Sequence, residues 1–277
     1  MTIDNSIFNR LSQTLGKIIV GQSTLIEQLL VALLSGGHVI IEGVPGTGKT
    51  LTVKVLAKLI KADFRRVQLT PDILPSDILG TNIFDLNNRT FTLKKGPVFT
   101  QILLADEINR TPPKTQAALL EAMEEQQVTL DGETMLLPDL FWTIATQNSL
   151  EFEGTYPLPE AQLDRFLFKL VVEYPDAAAE KQMLLNAQKG FRGKSQDLER
   201  IKAIATVEDI LMARQGALGV NADDKVLDYL LGLVRQTRQH PDLALACSCC
   251  RGSGAARAGF RSSGDNHWAG CGYPASG

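Results

Sequence analysis

Short runs of apolar residues alternate with segments of helical period over the first 174 residues of the chain. The apolar runs predict five buried strands, at 38–42, 64–69, 101–105, 140–146 and 166–172. Helical patterns lie between these runs, so the alternation predicts an α/β fold with a parallel sheet and helices on both faces. Two further segments, 80–93 and 128–137, place turn residues between short β-prone runs and predict β-hairpins inserted into this pattern.

The pattern changes twice after residue 174. Apolar residues recur at helical spacing at 201, 204 and 205 and again over 226–234, which predicts a small helical domain over 175–246. The last 31 residues, 247–277, hold seven Gly and five Ser but no Leu, Ile, Val or Met. Such a segment cannot build a core, and we expect it to be a disordered, low-complexity tail after the α/β domain of 1–174 and the helical domain.

Composition and charge exclude several classes of protein. Hydrophobic residues make up 44% of the chain and the net charge is −3, as in an ordinary globular protein without an overall positive excess for nucleic acid. The most apolar stretch, 25–34, is too short to cross a bilayer, and the first ten residues lack the pattern of a signal peptide. We therefore expect a cytoplasmic protein. All four Cys lie beyond residue 246, which excludes a disulfide framework for the main body.

A glycine-rich motif of the form G-x-x-x-x-G-K-[ST] follows the first predicted strand and precedes a predicted helix over 52–60. Its residues are Gly43, Val44, Pro45, Gly46, Thr47, Gly48, Lys49 and Thr50, and Leu51 follows them. Backbone N–H groups of such a loop bind phosphate oxygens, while Lys49 is predicted to meet the β and γ phosphates and Thr50 to ligate Mg²⁺. A glycine-rich turn before an unrelated helix is the structural alternative.

Two adjacent carboxylates, Asp106 and Glu107, follow the apolar run at 101–105. They would lie at the carboxyl edge of the sheet, where open α/β sheets bind ligands. We predict that Asp106 holds Mg²⁺ and that Glu107 polarises the water that attacks the γ-phosphate. By itself a strand that ends in Asp-Glu is commonplace, but it supports the phosphate loop.

Two further polar residues follow or precede predicted strands. Asn148 follows the strand at 140–146 and could orient the attacking water, or it could only cap the next turn. Arg165 follows a predicted short helix and directly precedes the last strand. It could supply a positive charge to a phosphoryl group as an arginine finger, although a surface ion pair is the simpler explanation of an Arg beside an Asp.

Taken together, these motifs resemble the MoxR family of AAA+ ATPases. The resemblance rests on the phosphate loop, on 106–110, on 146–148 and on 163–166, with 112–116 and 119–123 also similar to the family signature. It begins near 19–22 and implies that Val20 and Gly21 lie against adenine. It further implies that Asn148 is the sensor 1 residue, that Arg165 is an arginine finger acting on a neighbour's nucleotide, and that the helical domain is a lid.

The resemblance implies a Mg²⁺-dependent ATPase that forms a ring, expected to be a hexamer, and remodels protein partners. Partners with von Willebrand A domains, in the maturation of metalloenzymes or complexes, are implied in the same way. The family leads one to expect Gly-Ala-Ser-Pro-Arg at 246–250, whereas the chain has Ala-Cys-Ser-Cys-Cys. We therefore expect a truncated lid and do not transfer the sensor 2 role. The abrupt change is typical of a shifted reading frame in the gene.

Three alternatives stay open at this stage. An incomplete lid would suit a nucleotide-gated binding module with little turnover. A DNA-translocating motor is disfavoured, because the predicted hairpin tips carry one Arg against two acidic residues. A zinc site in the tail is disfavoured too, since Cys-Ser-Cys-Cys is more cramped than the usual pairing of zinc ligands.

Overall fold

Five parallel strands form the central sheet. We describe this sheet from a computed structural model that defines residues 5–85, 89–148, 154–188 and 198–237. The five strands are β1 (His38–Gly43), β2 (Phe64–Gln68), β5 (Ile102–Asp106), β8 (Trp142–Gln147) and β9 (Phe166–Val172). Their spatial order is β2-β5-β8-β1-β9. They match the five apolar runs to within two residues at each end, so the predicted parallel α/β fold is confirmed.

Nine helices accompany the strands in the described part of the chain. They are α1 (Asn5–Ile18), α2 (Ser23–Ser35), α3 (Lys49–Leu59), α4 (Pro75–Leu79), α5 (Pro113–Glu125), α6 (Glu160–Leu163), α7 (Ala177–Gln188), α8 (Val207–Leu218) and α9 (Asp224–Thr237). None of the helices in these ranges is long and apolar enough to cross a membrane.

Each face of the sheet carries its own hydrophobic core, because successive residues of a strand point to opposite faces. Val39 and Ile41 of β1 pack with residues of α1, α2 and α3. Ile40, between them, packs on the other face with Leu119 and Met123 of α5.

Strands β1, β5 and β8 are buried on both faces and read as largely apolar, which is why they could be found from the sequence. The prediction that the run at 64–69 is a buried strand is wrong in its burial, because β2 lies at the end of the sheet and Arg65, Arg66 and Gln68 are exposed.

Two hairpins are inserted into the α/β pattern, as predicted. The first pairs β3 (Gly80–Asp85) with β4 (Thr90–Lys95), and the second pairs β6 (Gln127–Leu130) with β7 (Glu133–Leu136). The side-chain amide of Asn82 donates to the Asp131 carboxylate at 2.6 Å and so links the two hairpins. The predicted turn at 87–88 lies outside the described residues.

The helical prediction for 201–205 is wrong. Residues 201–203 are irregular, and the amides of Ile204 and Ala205 both donate to the carbonyl of Leu59 at the end of α3. Helix α8 begins only after Thr206, whose side chain caps it in a reciprocal pair with Asp209. The apolar residues at 201, 204 and 205 pack on the core below α3, and this tertiary contact imitates a helical period.

Helix α9 agrees with the apolar period predicted over 226–234. The predictions for the tail 247–277, its four Cys and the departure at 246–250 lie outside the described residues. Within the described ranges, no group of three or more His, Cys, Asp or Glu side chains could hold a metal ion.

Candidate nucleotide-binding site

The phosphate loop joins β1 to α3 in a conformation that two glycines make possible. Gly46 and Gly48 have φ values of 86° and 82°, in the left-handed region that other residues rarely adopt. The hydroxyl of Thr47 donates to the Val44 carbonyl at 3.1 Å and closes the loop. Helix α3 then begins at Lys49, three residues earlier than predicted. The loop therefore directs the amino end of a helix toward the edge of the sheet, as an anion site requires.

Lys49 is held beside the loop that it follows in sequence. Its ammonium donates to the carbonyl of Gly43, at the end of β1. Partial burial lowers the pKa of Lys49, while the charges of Asp106, Glu107 and Glu42 act in the opposite direction. A partly desolvated cation at this position would bind phosphate oxygens strongly.

Asp106 lies at the centre of a hydrogen-bonded cluster at the carboxyl edge of the sheet. Its Oδ1 accepts from the hydroxyl of Thr146, and its Oδ2 lies 3.4 Å from the Thr50 hydroxyl of α3. Arg66 of β2 reaches the same Oδ2 with Nε at 2.9 Å and Nη2 at 2.7 Å. The two predicted metal ligands, Thr50 and Asp106, are therefore adjacent.

Their donor set fits Mg²⁺, which prefers hard oxygen ligands such as hydroxyl and carboxylate groups. The same edge of the sheet also presents the phosphate loop and the amino end of α3. Thr50 and Asp106 are the residues that would hold the metal.

Glu107 has an unusual backbone conformation, with φ of 60° and ψ of 52° in the left-handed region. Its N–H donates to the Thr146 hydroxyl at 3.0 Å, and its carboxylate pairs with Arg110 at 3.1 Å. The Glu107 carboxylate therefore has Arg110 as its partner, whereas the Asp106 carboxylate has Thr146 and Arg66. The two adjacent acidic residues thus lie in different environments, and their separate roles stay a prediction.

Asn148 follows β8 at the same edge of the sheet. The pairing of Ile41 with Thr146 and of Glu42 with Gln147 brings the end of β8 level with the start of the phosphate loop. The Gln147 amide donates to the Glu42 carboxylate at 2.9 Å, and this contact locks the two strand ends together. Asn148 therefore lies beside the candidate site, partly buried.

Arg165 lies at the amino-terminal ends of the strands, opposite the carboxyl ends that carry the phosphate loop. Phe166, the next residue, pairs with His38 at the amino end of β1, whereas the phosphate loop follows the carboxyl end at Gly43. A parallel strand advances about 3.3 Å per residue, so the backbone of Arg165 lies roughly 20 Å from Gly43 along the strand direction. An arginine side chain is much shorter than this distance. The structure brings together all the predicted phosphate, metal and water residues but not Arg165.

Val20 and Gly21 lie between α1 and α2, and Gly21 borders the start of α7. A Cβ at Gly21 would lie 2.7 Å from the Cβ of Ala179 and 3.0 Å from that of Pro175, and the φ of 78° also favours glycine. An open cleft of about 600 Å³ adjoins this region, bordered by Glu42, Gly43, Val44 and residues 171–174. The contact of Val20, Gly21 and Leu51 with nucleotide stays a prediction.

Three residues of the site were given no role from the sequence. Thr146 donates to the Asp106 carboxylate and accepts the backbone N–H of Glu107, while Arg66 pairs with Asp106 and Arg110 with Glu107. Thr146 could have been noticed as a hydroxyl residue near the end of an apolar strand. Arg66 had no such signal, because only the pairing of β2 with β5 brings its side chain within reach of Asp106.

Comparison with known proteins identifies the family. Residues 38–168 match the family profile described as ATPase family associated with various cellular activities (AAA). The chain is 48% identical over 234 residues to YeaC of Bacillus subtilis, an alignment that covers 84% of this chain and 72% of that relative. It is 41% identical over 244 residues to the chaperone MoxR1 of Mycobacterium tuberculosis, covering 88% of this chain and 62% of the relative. The chain belongs to the MoxR family of AAA+ ATPases.

A solved structure shows the same fold. The crystal structure of a candidate ATPase from Cytophaga hutchinsonii is 38% identical and superposes with a TM-score of 0.80, over 91% of this chain and 78% of that one. Membership of this family implies nucleotide binding, typically with Mg²⁺. The aligned part covers 62% of the length of MoxR1 and 66% of the length of MoxR from Methylorubrum extorquens. The chain therefore spans less than two thirds of each of these two relatives.

Proposed function

We propose that this protein binds and hydrolyses ATP with Mg²⁺ in a ring of identical subunits, and uses the reaction to remodel protein partners. The observation that carries the proposal is the separation of the site into two parts. Phosphate, metal and water residues share one edge of the sheet, while Arg165 lies roughly 20 Å away. A complete site then needs the Arg165 edge of a second copy.

Nucleotide binding is supported by the loop over 43–50. Its backbone N–H groups and the amino end of α3 attract the phosphates, and Lys49 adds a charged donor for the β and γ phosphates. Thr50 and Asp106 hold the metal, which supplies neutralisation of the charge that develops on the phosphoryl oxygens. Val20 and Gly21 would border the adenine.

Hydrolysis is assigned to Glu107 and Asn148. The Glu107 carboxylate accepts the proton of the attacking water. To do so, the carboxylate must loosen its ion pair with Arg110 and turn toward that water. The Asn148 amide at the next strand end orients the water for in-line attack. Thr146 holds the Glu107 backbone and the Asp106 carboxylate in fixed relation, which keeps base and metal ligand in register.

Arg165 is assigned to the nucleotide of a neighbouring subunit. An arginine supplied in this way stabilises the charge of the transition state and can be worth about 10³ to 10⁵ in rate. In a closed ring of six subunits, every nucleotide site has the Arg165 of a neighbouring subunit beside it. The family resemblance and the chaperone name of MoxR1 support work on protein clients, and the resemblance adds partners with von Willebrand A domains.

The experiment that tests this proposal mixes two inactive variants. Glu107→Gln should bind ATP without hydrolysing it, and Arg165→Ala should bind ATP while losing about 10³ in turnover. In a random equal mixture about a quarter of the junctions pair an intact base with an intact finger, so activity should return to about a quarter of wild type.

Mixed rings that stay inactive would refute the role of Arg165 across an interface. The wild-type chain supplies the second check. ATP binding without turnover at high protein concentration would indicate a nucleotide-gated binding module instead.

A further inference from the structure

Arg165 is held by two groups of its own chain. Its Nη1 donates to the Ala161 carbonyl of α6 at 2.7 Å, and its Nη2 pairs with the Glu124 carboxylate of α5 at 2.6 Å. Its Nε is buried and has no hydrogen-bond partner in the described part of the chain. Each terminal nitrogen carries two N–H groups, so each keeps one N–H for a further acceptor such as a phosphoryl oxygen.

Glu124 stands where a helix gains nothing from an acidic residue. It lies in the last turn of α5 with Glu125, and that turn contains no basic residue. A negative charge near the carboxyl end of a helix is unfavourable, because the carbonyl groups there are themselves partly negative. The pairing with Arg165 compensates this cost, whereas helix stability offers no reason for the charge.

The support beneath Glu124 is rigid. The carbonyl of Met123, the preceding residue, accepts a hydrogen bond of 3.1 Å from the buried ring of His38 in β1. The end of α5 is thereby fixed to the strand that leads into the phosphate loop. The Glu124 side chain is 41% exposed, but its backbone is fixed in this way. Glu124 can therefore hold an arginine in one place, which an ion pair between two flexible segments does not achieve.

We propose that Glu124 is the positioning residue for Arg165, and that it presents the guanidinium to the γ-phosphate held by the neighbouring subunit. The proposal rests on the proposed function, since it assumes that Arg165 acts across the interface. Glu124 makes no contact with nucleotide in this mechanism. Glu124 acts only by positioning the Arg165 of its own subunit, and that Arg165 then acts on the nucleotide of the neighbouring subunit.

The first test compares Glu124→Gln with Glu125→Gln, a matched change in the same helical turn. Glu124→Gln should lower kcat roughly tenfold at unchanged ATP affinity and melting temperature, because a loosely held finger loses its alignment. Glu125→Gln should behave as wild type. In an Arg165→Ala background, Glu124→Gln should cause no further loss. An equal loss in both single variants, or a further loss in that background, would overturn the proposal.

Mixed rings give the decisive test. Glu124→Gln mixed with Glu107→Gln should exceed the activity of Glu124→Gln alone, because some junctions combine an intact base with a well-held finger. Glu124→Gln mixed with Arg165→Ala should not exceed it, since every finger in that ring is defective. The opposite pattern would show that Glu124 serves the nucleotide site of its own subunit. Failure of Arg165→Ala to complement Glu107→Gln would instead refute the proposed function itself.

Discussion

Protonation of His38 should destabilise the fold by an amount that follows from its surroundings. The ring is buried, accepts the N–H of Thr143 on Nδ1 at 3.0 Å and donates from Nε2 to the Met123 carbonyl at 3.1 Å. A second proton on Nδ1 would face an N–H donor. Burial lowers the pKa of His38 to about 4 from its ordinary value of 6.5, and the hydrogen bond to Met123 opposes this only partly.

The sign of the effect follows from that direction. Between pH 6.5 and 4 the unfolded chain binds a proton that the folded chain excludes, so stability falls as the pH is lowered through this window. Between pH 7 and pH 5 the loss amounts to about 2 kcal/mol, or about 4 to 8 °C in melting temperature.

Urea unfolding of wild type and His38→Gln at both pH values isolates this contribution, because other groups titrate equally in the two proteins. Wild type should lose about 2 kcal/mol more than the variant on going from pH 7 to pH 5. An equal loss in both proteins would refute the assignment of a neutral, buried ring.

Other substitutions test the remaining contacts. Lys49→Ala should weaken ATP affinity by roughly 100-fold or more, measured by titration calorimetry, because the phosphates lose their charged donor; unchanged affinity would contradict the phosphate loop assignment. Thr146→Val should lower kcat roughly tenfold and the free energy of unfolding by about 1 to 2 kcal/mol, because the hydrogen bonds to the Asp106 carboxylate and from the Glu107 N–H disappear; an unchanged kcat would show that Thr146 does not position the two acidic residues. Gly21→Ala should lower the free energy of unfolding by about 1 to 3 kcal/mol, since its Cβ would meet Ala179. The control is Gly16→Ala, where a Cβ meets nothing within 4 Å, and equal melting temperatures would count against the close contact at Gly21.

The predictable parts of this molecule are those encoded within a few neighbouring residues. The apolar runs, the loop at 43–50 and the acidic pair at 106–107 are local patterns. The structure forms the sheet from the apolar runs and places the loop and the acidic pair at the carboxyl ends of its strands. The failure at 201–205 has the opposite origin, since a segment packed against α3 presents apolar residues at helical spacing without being a helix.

The partners of the site residues depend on tertiary pairing. Arg66 reaches Asp106 only because β2 runs beside β5, and Glu124 meets Arg165 only because the end of α5 lies near the start of β9. Their positions in the sequence, 40 and 41 residues from their partners, give no local signal. Ion pairs of this kind therefore have to be read from coordinates.

The left-handed backbone at Glu107 means that the residue needed as the candidate base lowers the stability of the fold. Most residues with a Cβ are strained there by about 1 kcal/mol. Gly avoids this cost, and Asn reduces it because its short side chain can hydrogen-bond to the nearby backbone. Selection for heat resistance alone would therefore favour Gly or Asn at this position, and both substitutions remove the carboxylate. Glu107→Gly should accordingly melt no lower than wild type while its ATPase activity is lost, and a clear drop in melting temperature would show that the conformation is not strained. In laboratory evolution, thermal tolerance and turnover would need to be screened together at this position.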